Sequence, residues 1–413
     1  MPTIHQLTDR FRISGFRRTP LYAFSFVIFF WAIFDGILSY AVPLLITEHG
    51  LSETAMGLLI STSSIVGALF DFMICRLFRD THFRRVLLFV FILCFIYPII
   101  LGNASTVWLF LAAMAVWGLY FNLVNIASFD FIGRFTRPDD HASHFGVLNV
   151  FRMLGYTLAP LIAGLTIGLV VGWKPLFVAW FFLVICLLCY VALLLVTRKK
   201  KYQPVNKTPG QRLNFLAELH LWKRIGRRLL PVLLITMILS VFDSYFWTIG
   251  PIFAEKISGP GQFTGLLLVA YQFPALLVGW YVGSVTRRLG KKRTAFFALL
   301  CASAIILTLG FVHQFALTIV IVFVASFFIA LAWPSINGAY ADYISEAPRV
   351  EKEIASLADF FANLGFVIGP ILAGLLAESF GESMAFSLLG LGSIIVILFI
   401  NRITPKHISV HKI

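Results

Sequence analysis

Two stretches decide the architecture of this chain: Trp31-Ala-Ile-Phe34-Asp35-Gly-Ile-Leu-Ser-Tyr-Ala-Val-Pro43 and Leu239-Ser-Val-Phe242-Asp243-Ser-Tyr-Phe-Trp-Thr-Ile-Gly-Pro251. In both, a Phe-Asp pair is followed after the same interval by a proline, so Asp35 aligns with Asp243. The alignment continues without a gap and places Gly57-Leu-Leu over Gly265-Leu-Leu. An ionisable residue at matching points of two apolar segments indicates a duplicated membrane bundle, which is the usual build of a solute carrier.

The repeat extends through the rest of both halves. Asn125-x4-Asp130-Phe-Ile matches Asn337-x4-Asp342-Tyr-Ile, and Leu154-Gly155-x4-Pro160-x2-Ala163-Gly164-Leu165 matches Leu364-Gly365-x4-Pro370-x2-Ala373-Gly374-Leu375. Any one match is weak evidence, but several matches in the same order identify an internal duplication whose loops alone have changed length.

The composition is that of a membrane protein. Apolar residues make up 59% of the chain and charged residues 13%, whereas soluble domains have about 45–50% and about 25%. The apolar runs reach the roughly 20 residues that a bilayer-spanning helix needs. We expect no enzymatic activity, because the sequence contains no nucleophile–base pair and no metal-ligand cluster. For the same reasons we predict no cofactor and no bound metal.

The distribution of charge predicts the topology. The net charge is +14, and almost all Lys and Arg residues fall in the two tails, the central loop and the even-numbered loops. Only Lys174 and Lys256 lie in odd-numbered loops, and Arg152 lies within a span. This positive-inside bias predicts that both termini are cytoplasmic, in the cell membrane. The basic clusters are short and interrupted, which favours contact with anionic lipids on the cytoplasmic face over nucleic-acid binding.

Twelve apolar spans divide the chain into a six-plus-six plan. The first six cover residues 21–44, 54–77, 86–101, 107–132, 145–170 and 175–196; the second six cover residues 229–254, 263–285, 294–311, 315–344, 354–378 and 383–400. We therefore predict a cytoplasmic tail (1–20), an N-terminal half (21–197), a cytoplasmic linker (198–228), a C-terminal half (229–403) and a C-terminal tail (404–413). Spans 3, 6, 9 and 12 contain no charged residue. Because charge in hydrocarbon is costly, we expect every third helix to be peripheral.

Twelve spans, duplicated halves and peripheral third helices resemble the major facilitator superfamily over nearly the whole chain. The loop Gly283-Ser-Val-Thr-Arg-Arg288-Leu-Gly290-Lys-Lys292 is similar to the signature loop of that family, with Arg287 where the family has Asp. The Gly155-x4-Pro160 and Gly365-x3-Gly369-Pro370 motifs resemble the Gly-Pro signature of proton-coupled antiporters. The resemblance implies an all-helical bundle of two pseudo-symmetric halves, a central site that opens alternately to each side, and a monomer.

Asp35 and Asp243 are the predicted proton-coupling residues. Each lies near the middle of span 1 or span 7, and the resemblance places these spans along the cavity. Burial disfavours the charged form of a carboxylate, so such a residue can load and release a proton. The alternatives are binding of a cationic substrate and a structural role, in which a protonated Asp bonds a neighbouring backbone group.

Other charged residues are predicted to form a gate or charge pairs: Asp71, Asp130, Arg152, Asp342, Arg287 and Arg288. Arg152 requires an anion because Arg stays protonated. Either it pairs with Asp130 or Asp71, or it binds an anionic substrate or releases a proton from a neighbouring Asp.

The predicted substrate-binding residues are amide and aromatic side chains on cavity-facing spans: Asn122, Asn125, Asn337, Trp117, Trp333, Tyr245 and Trp247. Asn residues also join helices, and aromatic residues also serve as packing or interface anchors.

These features predict secondary active transport of a small solute, coupled to protons, with sodium as the alternative ion. The leading substrate class is a lipophilic or cationic compound that is exported. Proton-coupled uptake of a small metabolite is the first alternative. A receptor or lipid-translocating protein that has kept the fold without coupled transport is the alternative of another class.

Overall fold

The computed structural model describes residues 4–77, 82–135, 141–168, 170–198, 215–259, 263–279, 281–347 and 350–403. These residues form helices and connecting turns, with no strand among them. The first half comprises α1 (Ile4–Glu48), α2 (Glu53–Leu77), α3 (Phe83–Gly102), α4 (Val107–Phe135), α5 (His141–Thr166) and α6 (Lys174–Thr197).

The second half contains more breaks. It comprises α7 (Phe215–Thr248), α8 (Gly250–Ser258), α9 (Leu266–Gln272), α10 (Pro274–Val278), α11 (Val282–Leu289), α12 (Lys291–Ile306), α13 (Phe315–Glu346), α14 (Glu351–Phe380) and α15 (Glu382–Ile403). A short 3-10 helix, Leu307–Phe311, extends α12.

Ten helices of the described chain are long and apolar enough to cross a membrane. The bent pair Leu266–Val278 and Val282–Leu289 would make an eleventh span, and Glu53–Leu69 of α2 is a shorter apolar helix. The protein is therefore an integral, multi-pass membrane protein.

Proline accounts for one break in each of two predicted spans, whereas the 70° bend of span 8 between Leu266–Val278 and Val282–Leu289 does not lie at a proline. Hydropathy predicts span 7 as one helix, but α7 ends at Thr248 and α8 begins at Gly250, beside Pro251. Span 8 is likewise divided, with Pro274 at the start of α10. Proline has no N–H to donate and its ring clashes with the preceding turn, so it favours a break or a new helix start.

Two helices extend into segments expected to be tail and linker. Helix α1 begins at Ile4, and α7 begins at Phe215 within the predicted linker. The basic amphipathic stretch before Arg228 thus continues the helix of span 7. The C-terminal tail, residues 404–413, and linker residues 199–214 lie outside the described residues.

Helices α1 and α7 are the most enclosed spans of the bundle. In the most apolar segment of each helix, the buried share of residues is 72% for α1 and 78% for α7, but only 28% for α6. Helix α1 packs on α5 and α6, and α7 packs on α14. The extensive contacts of α3, α6, α12 and α15 stay within their own half. This arrangement places the two intramembrane aspartates at the centre of the protein.

Glycine allows the central helices to approach closely. A Cβ at Gly155 of α5 would lie 2.6 Å from the Phe29 carbonyl oxygen of α1. At the repeat-related position, a Cβ at Gly365 of α14 would lie 2.5 Å from the Met237 carbonyl oxygen of α7. The duplicated Leu-Gly motif therefore makes the same backbone contact in both halves.

Candidate functional site: two aspartates at the seam between the halves

Asp35 is enclosed by donors from two neighbouring helices. Its Oδ1 accepts hydrogen bonds from Trp117 Nε1 (3.0 Å) and the Tyr120 hydroxyl (2.6 Å), and its Oδ2 accepts one from the Tyr156 hydroxyl (2.7 Å). Asp35 is 1% exposed. Gly36 makes room for this arrangement, because a Cβ there would lie 3.1 Å from the Tyr156 ring. Three donors satisfy most of the acceptor capacity of a carboxylate.

Asp243 occupies the equivalent point of α7 in a different environment. Its Oδ1 accepts one hydrogen bond, 2.8 Å long, from the Tyr271 hydroxyl of α9. The Tyr271 ring stacks on Phe246, with 3.9 Å between ring centroids. Asp243 remains partly exposed, so one of its oxygens is available for a further partner.

Substitutions since the duplication explain this difference. The repeat alignment pairs the three donors of Asp35 (Trp117, Tyr120, Tyr156) with residues that carry no side-chain donor: Ile329, Ala332 and Phe366. Both halves therefore retain the acid, but only Asp35 has side-chain donors on the fourth and fifth spans of its half.

The two acid sites meet where the halves touch. The rings of Tyr156 on α5 and Trp247 on α7 pack edge to face, with centroids 5.7 Å apart. Tyr156 is bonded to Asp35, and Trp247 lies one helical turn after Asp243. A side chain of the first site therefore contacts a side chain beside the second.

Arg152 lies next to the Asp35 site without bonding to the acid. Its guanidinium lies over the Trp31 ring, 5.8 Å from the centroid. No ion pair joins Arg152 to an acid among the side chains that the structure describes. The predicted partner Asp130 instead binds Arg134 at 2.7 Å and the Phe83 backbone N–H at 2.8 Å. The other predicted partner, Asp71, has its side chain outside the described part of the chain.

Duplicated glycines and prolines join the halves at one end of the bundle, which we call the closed end. A Cβ at Gly57 of α2 would overlap the Pro370 carbonyl oxygen of α14, and a Cβ at Gly265 would overlap the Pro160 carbonyl oxygen of α5. The first contact therefore pairs the repeat glycine of one half with the repeat proline of the other, and the second contact is its two-fold mate. The repeat thus encodes a symmetric interface between the halves.

A group of charged residues reinforces one of these two contacts. Lys256 of α8 binds Glu53 of α2 across the seam at 3.3 Å, and it also binds Glu382 of α15. Beside them, the Thr54 backbone N–H donates to Glu378 Oε2 of α14 at 2.9 Å. We call Glu53, Lys256 and Glu382 the latch. The sequence did not predict the latch, because these residues lie at the ends of three different helices and no spacing relates them.

The remaining predicted substrate-binding residues lie on α4, α7 and α13. Asn122 and Asn125 are partly buried on α4, and Asn122 packs beside Gly67 of α2. Trp333 is partly buried on α13, and Asn337 is exposed one turn later. Tyr245 is 1% exposed and packs against Phe386 of α15, so it lies inside the second half.

Three of the predicted gate residues, Asp342, Arg287 and Arg288, lie toward the end opposite the closed end. Asp342 is exposed on α13 and binds Lys291 at 2.6 Å. Arg287 and Arg288 are exposed near the end of α11. Among the described residues, no group of three or more His, Cys, Asp and Glu side chains could hold a metal ion.

Comparison with known families agrees with this architecture. The Major Facilitator Superfamily profile matches residues 24–256 and 232–412. The chain belongs to the Major Facilitator Superfamily. Among curated proteins, it is similar to the quinolone resistance protein NorA of Staphylococcus aureus, with 23% identity over 128 residues. That alignment covers 31% of this chain and 32% of NorA.

Solved structures of low sequence identity share the fold. A bacterial homologue of the human lysosomal transporter Spinster, inward-facing and unoccupied, aligns with a TM-score of 0.71 and 16% identity, over 94% of this chain and 95% of that one. The nucleoside transporter NupG aligns with a TM-score of 0.72 and 13% identity, over 94% and 98%. Both belong to the transporter class that the family membership indicates.

Proposed function

We propose that this Major Facilitator Superfamily protein is a proton-coupled secondary transporter that exports a lipophilic or cationic solute. The observation that carries the proposal is the position of Asp35 and Asp243. They occupy matching points of the duplicated central helices, and the Tyr156–Trp247 contact links their sites across the seam.

The two acids have different roles in this proposal. Asp243 has one described donor and partial exposure, so it is the group at which a proton and a cationic solute compete. Competition for one carboxylate couples the two movements in opposite directions, because loading either one displaces the other. Asp35 is enclosed by Trp117, Tyr120 and Tyr156. It holds α4 and α5 in place and responds to protonation through these bonds.

The contacts between the halves support transport by alternating access. The described contacts at the closed end are dominated by backbone-to-backbone approaches of α2 with α14 and of α5 with α9. Rocking of the two halves would separate these contacts and expose the acids to the other side. With both termini cytoplasmic, as the charge distribution predicts, the closed end faces away from the cytoplasm.

The test uses purified protein in liposomes that contain a pH-sensitive dye. Organic cations, sugars, amino acids and carboxylates are added one class at a time. We expect organic cations to trigger proton movement in the unmodified protein, and we expect Asp35→Asn and Asp243→Asn to abolish it. Glu346→Gln, which alters an exposed acid at the end of α13, is the matched control and should transport normally.

Three outcomes of this assay would contradict the proposal. Full proton movement in both Asp→Asn variants would reject the proposed coupling residues. Solute movement that follows a sodium gradient and not a pH gradient would replace the proposed ion. Binding without any solute movement would favour a receptor on the same fold.

A further inference from the structure

Arg152 is a cation at the centre of the bundle that lies near the Asp35 carboxylate without forming a hydrogen bond or an ion pair with it. Its described contact is the face of Trp31, and Asp35 is already bonded to three neutral donors. An Arg side chain offers five N–H donors, and it stays charged in proteins. Arg152 is partly exposed, so its guanidinium is accessible to an anionic group.

The positions of Arg152 and Asp243 are related by the contact between the halves. Arg152 precedes Tyr156 by four residues on α5, and Asp243 precedes Trp247 by four residues on α7. Both helices lead to the closed end, since Gly164 of α5 and Lys256 of α8 make contacts there. Each charged residue therefore lies about one turn, ~5.4 Å along the axis, below the Tyr156–Trp247 contact on the side away from the closed end.

Two opposite charges therefore lie on opposite halves, on the side of the Tyr156–Trp247 ring contact that faces away from the closed end. Arg152 lies on the wall of the first half and Asp243 on the wall of the second. They do not form an ion pair with each other. Among the described side chains neither residue forms an ion pair. Charge inside a membrane protein is costly, and one solute that carries both complementary charges would add an ion pair to each residue.

We propose that Arg152 and Asp243 form a dipolar binding site for an amphoteric aromatic solute, with its anionic group at Arg152 and its amine at Asp243. The aromatic part lies against Tyr156 and Trp247, where ring stacking favours a flat group and cation–π contacts favour the nearby amine. This inference rests on the proposed function, because it specifies the class of solute that the transporter carries. A solute that touches both halves also favours the conformation in which they approach.

The test measures equilibrium binding to the purified protein in detergent by dialysis. The probes are para-(aminomethyl)benzoate and its longer biphenyl analogue, each compared with relatives in which a methyl group replaces either the amine or the carboxylate. We expect at least one doubly charged probe to bind about 10- to 100-fold more tightly than both of its singly charged relatives, the range for a hydrogen bond to a charged group.

Two variants assign the two ends of the probe. In Arg152→Gln, the doubly charged probe should fall to the affinity of the amine-only relative, and in Asp243→Asn to that of the carboxylate-only relative. Arg152→Lys keeps the charge without the forked geometry and should retain part of the preference. Arg293→Gln, at an exposed arginine of α12, is the matched control and should bind like the unmodified protein.

The proposal is overturned if neither doubly charged probe binds more tightly than its singly charged relatives, or if Arg152→Gln and Arg293→Gln bind alike. Because this measurement needs no gradient, its outcome is separate from that of the liposome assay. Selective binding without solute-driven proton movement would refute the proposed function and leave the site standing. Proton movement without charge-selective binding would do the reverse.

Discussion

At the scale of single residues, the protein keeps one acid enclosed and the other accessible. Trp117, Tyr120 and Tyr156 surround Asp35, whereas Tyr271 alone is the described donor to Asp243. The sequence predicted both acids from their matching positions. It did not predict Tyr156, because a single tyrosine beside a glycine has no signal until α5 is docked against α1.

The hydroxyl of Tyr156 should contribute measurably to stability. In Tyr156→Phe the ring can still pack on Trp247 while Asp35 loses one hydrogen bond, so the free energy of unfolding should fall by about 1–3 kcal/mol. Tyr97→Phe is the matched control, because the buried Tyr97 hydroxyl has no described partner and its removal should be nearly neutral. Unfolding in mixed detergent micelles measures both variants, and equal stability losses would argue against the Asp35 network.

At the scale of helices, the closed end combines backbone contact with ionic contact. Helices α2 and α14 approach at Gly57 and Gly374, and the latch ties this seam by linking Glu53 to Lys256 and Glu382. The related seam between α5 and α9 has the glycine contacts, while Lys256 aligns in the repeat with the acid Glu48. The duplication accounts for the glycine contacts at both seams. The latch is present at only one of these seams, so the repeat does not predict it.

Loss of the latch cation should favour opening of the closed end. Glu382 is largely buried while Lys256 is 57% exposed, so Lys256→Gln should weaken closure by about 1–2 kcal/mol, between the values for exposed and buried pairs. Spin labels at Ser105→Cys and His313→Cys, exposed positions in opposite halves, report the separation by pulsed electron–electron distance measurement. Lys174→Gln, at another exposed lysine, serves as the control. An unchanged distance distribution in Lys256→Gln would show that the latch does not hold the seam.

The latch should also respond to pH. Glu53 precedes predicted span 2; burial, together with the adjacent Glu382 carboxylate, raises the pKa of Glu53. When the closed end opens to water, the pKa of Glu53 returns toward its ordinary value. The closed conformation therefore binds a proton at Glu53 more tightly than the open one does. Closure is therefore favoured as pH falls and weakened as pH rises through the raised pKa. Glu53→Gln should flatten the pH dependence of the Ser105–His313 label distance, and an unaltered titration would exclude Glu53 as its source.

At the scale of the whole molecule, the duplication accounts for most of the fold. The repeat predicts the paired halves and the matching acids, and the family resemblance implies that the first and seventh spans line the central cavity. The breaks at Pro251 and Pro274 depart from the predicted continuous spans, because hydropathy registers apolar length but not the loss of a backbone donor. The meeting of Tyr156 with Trp247 depends on how the halves dock, which hydropathy and repeats do not specify.

Closure should depend on the two duplicated glycines. Gly57→Ala and Gly265→Ala each place a methyl group against a proline carbonyl of the other half, so both variants should widen the closed end and slow transport. Gly133→Ala is the matched control, since a Cβ there meets nothing within 4 Å. Label distances and liposome transport rates measure the effect. If Gly57→Ala and Gly265→Ala behave like Gly133→Ala, the closed interface does not have the tight packing described above.

The measurement that tests the account most directly follows both ends of the bundle together. With the native cysteines replaced, the Ser105→Cys/His313→Cys pair reports the closed end, and the Asn149→Cys/Ser356→Cys pair reports the opposite end. We predict two populations in which one end widens as the other narrows, with proportions that change with pH and on addition of a doubly charged aromatic solute. A single distance at both ends under every condition, or widening of both ends together, would contradict transport by alternating access.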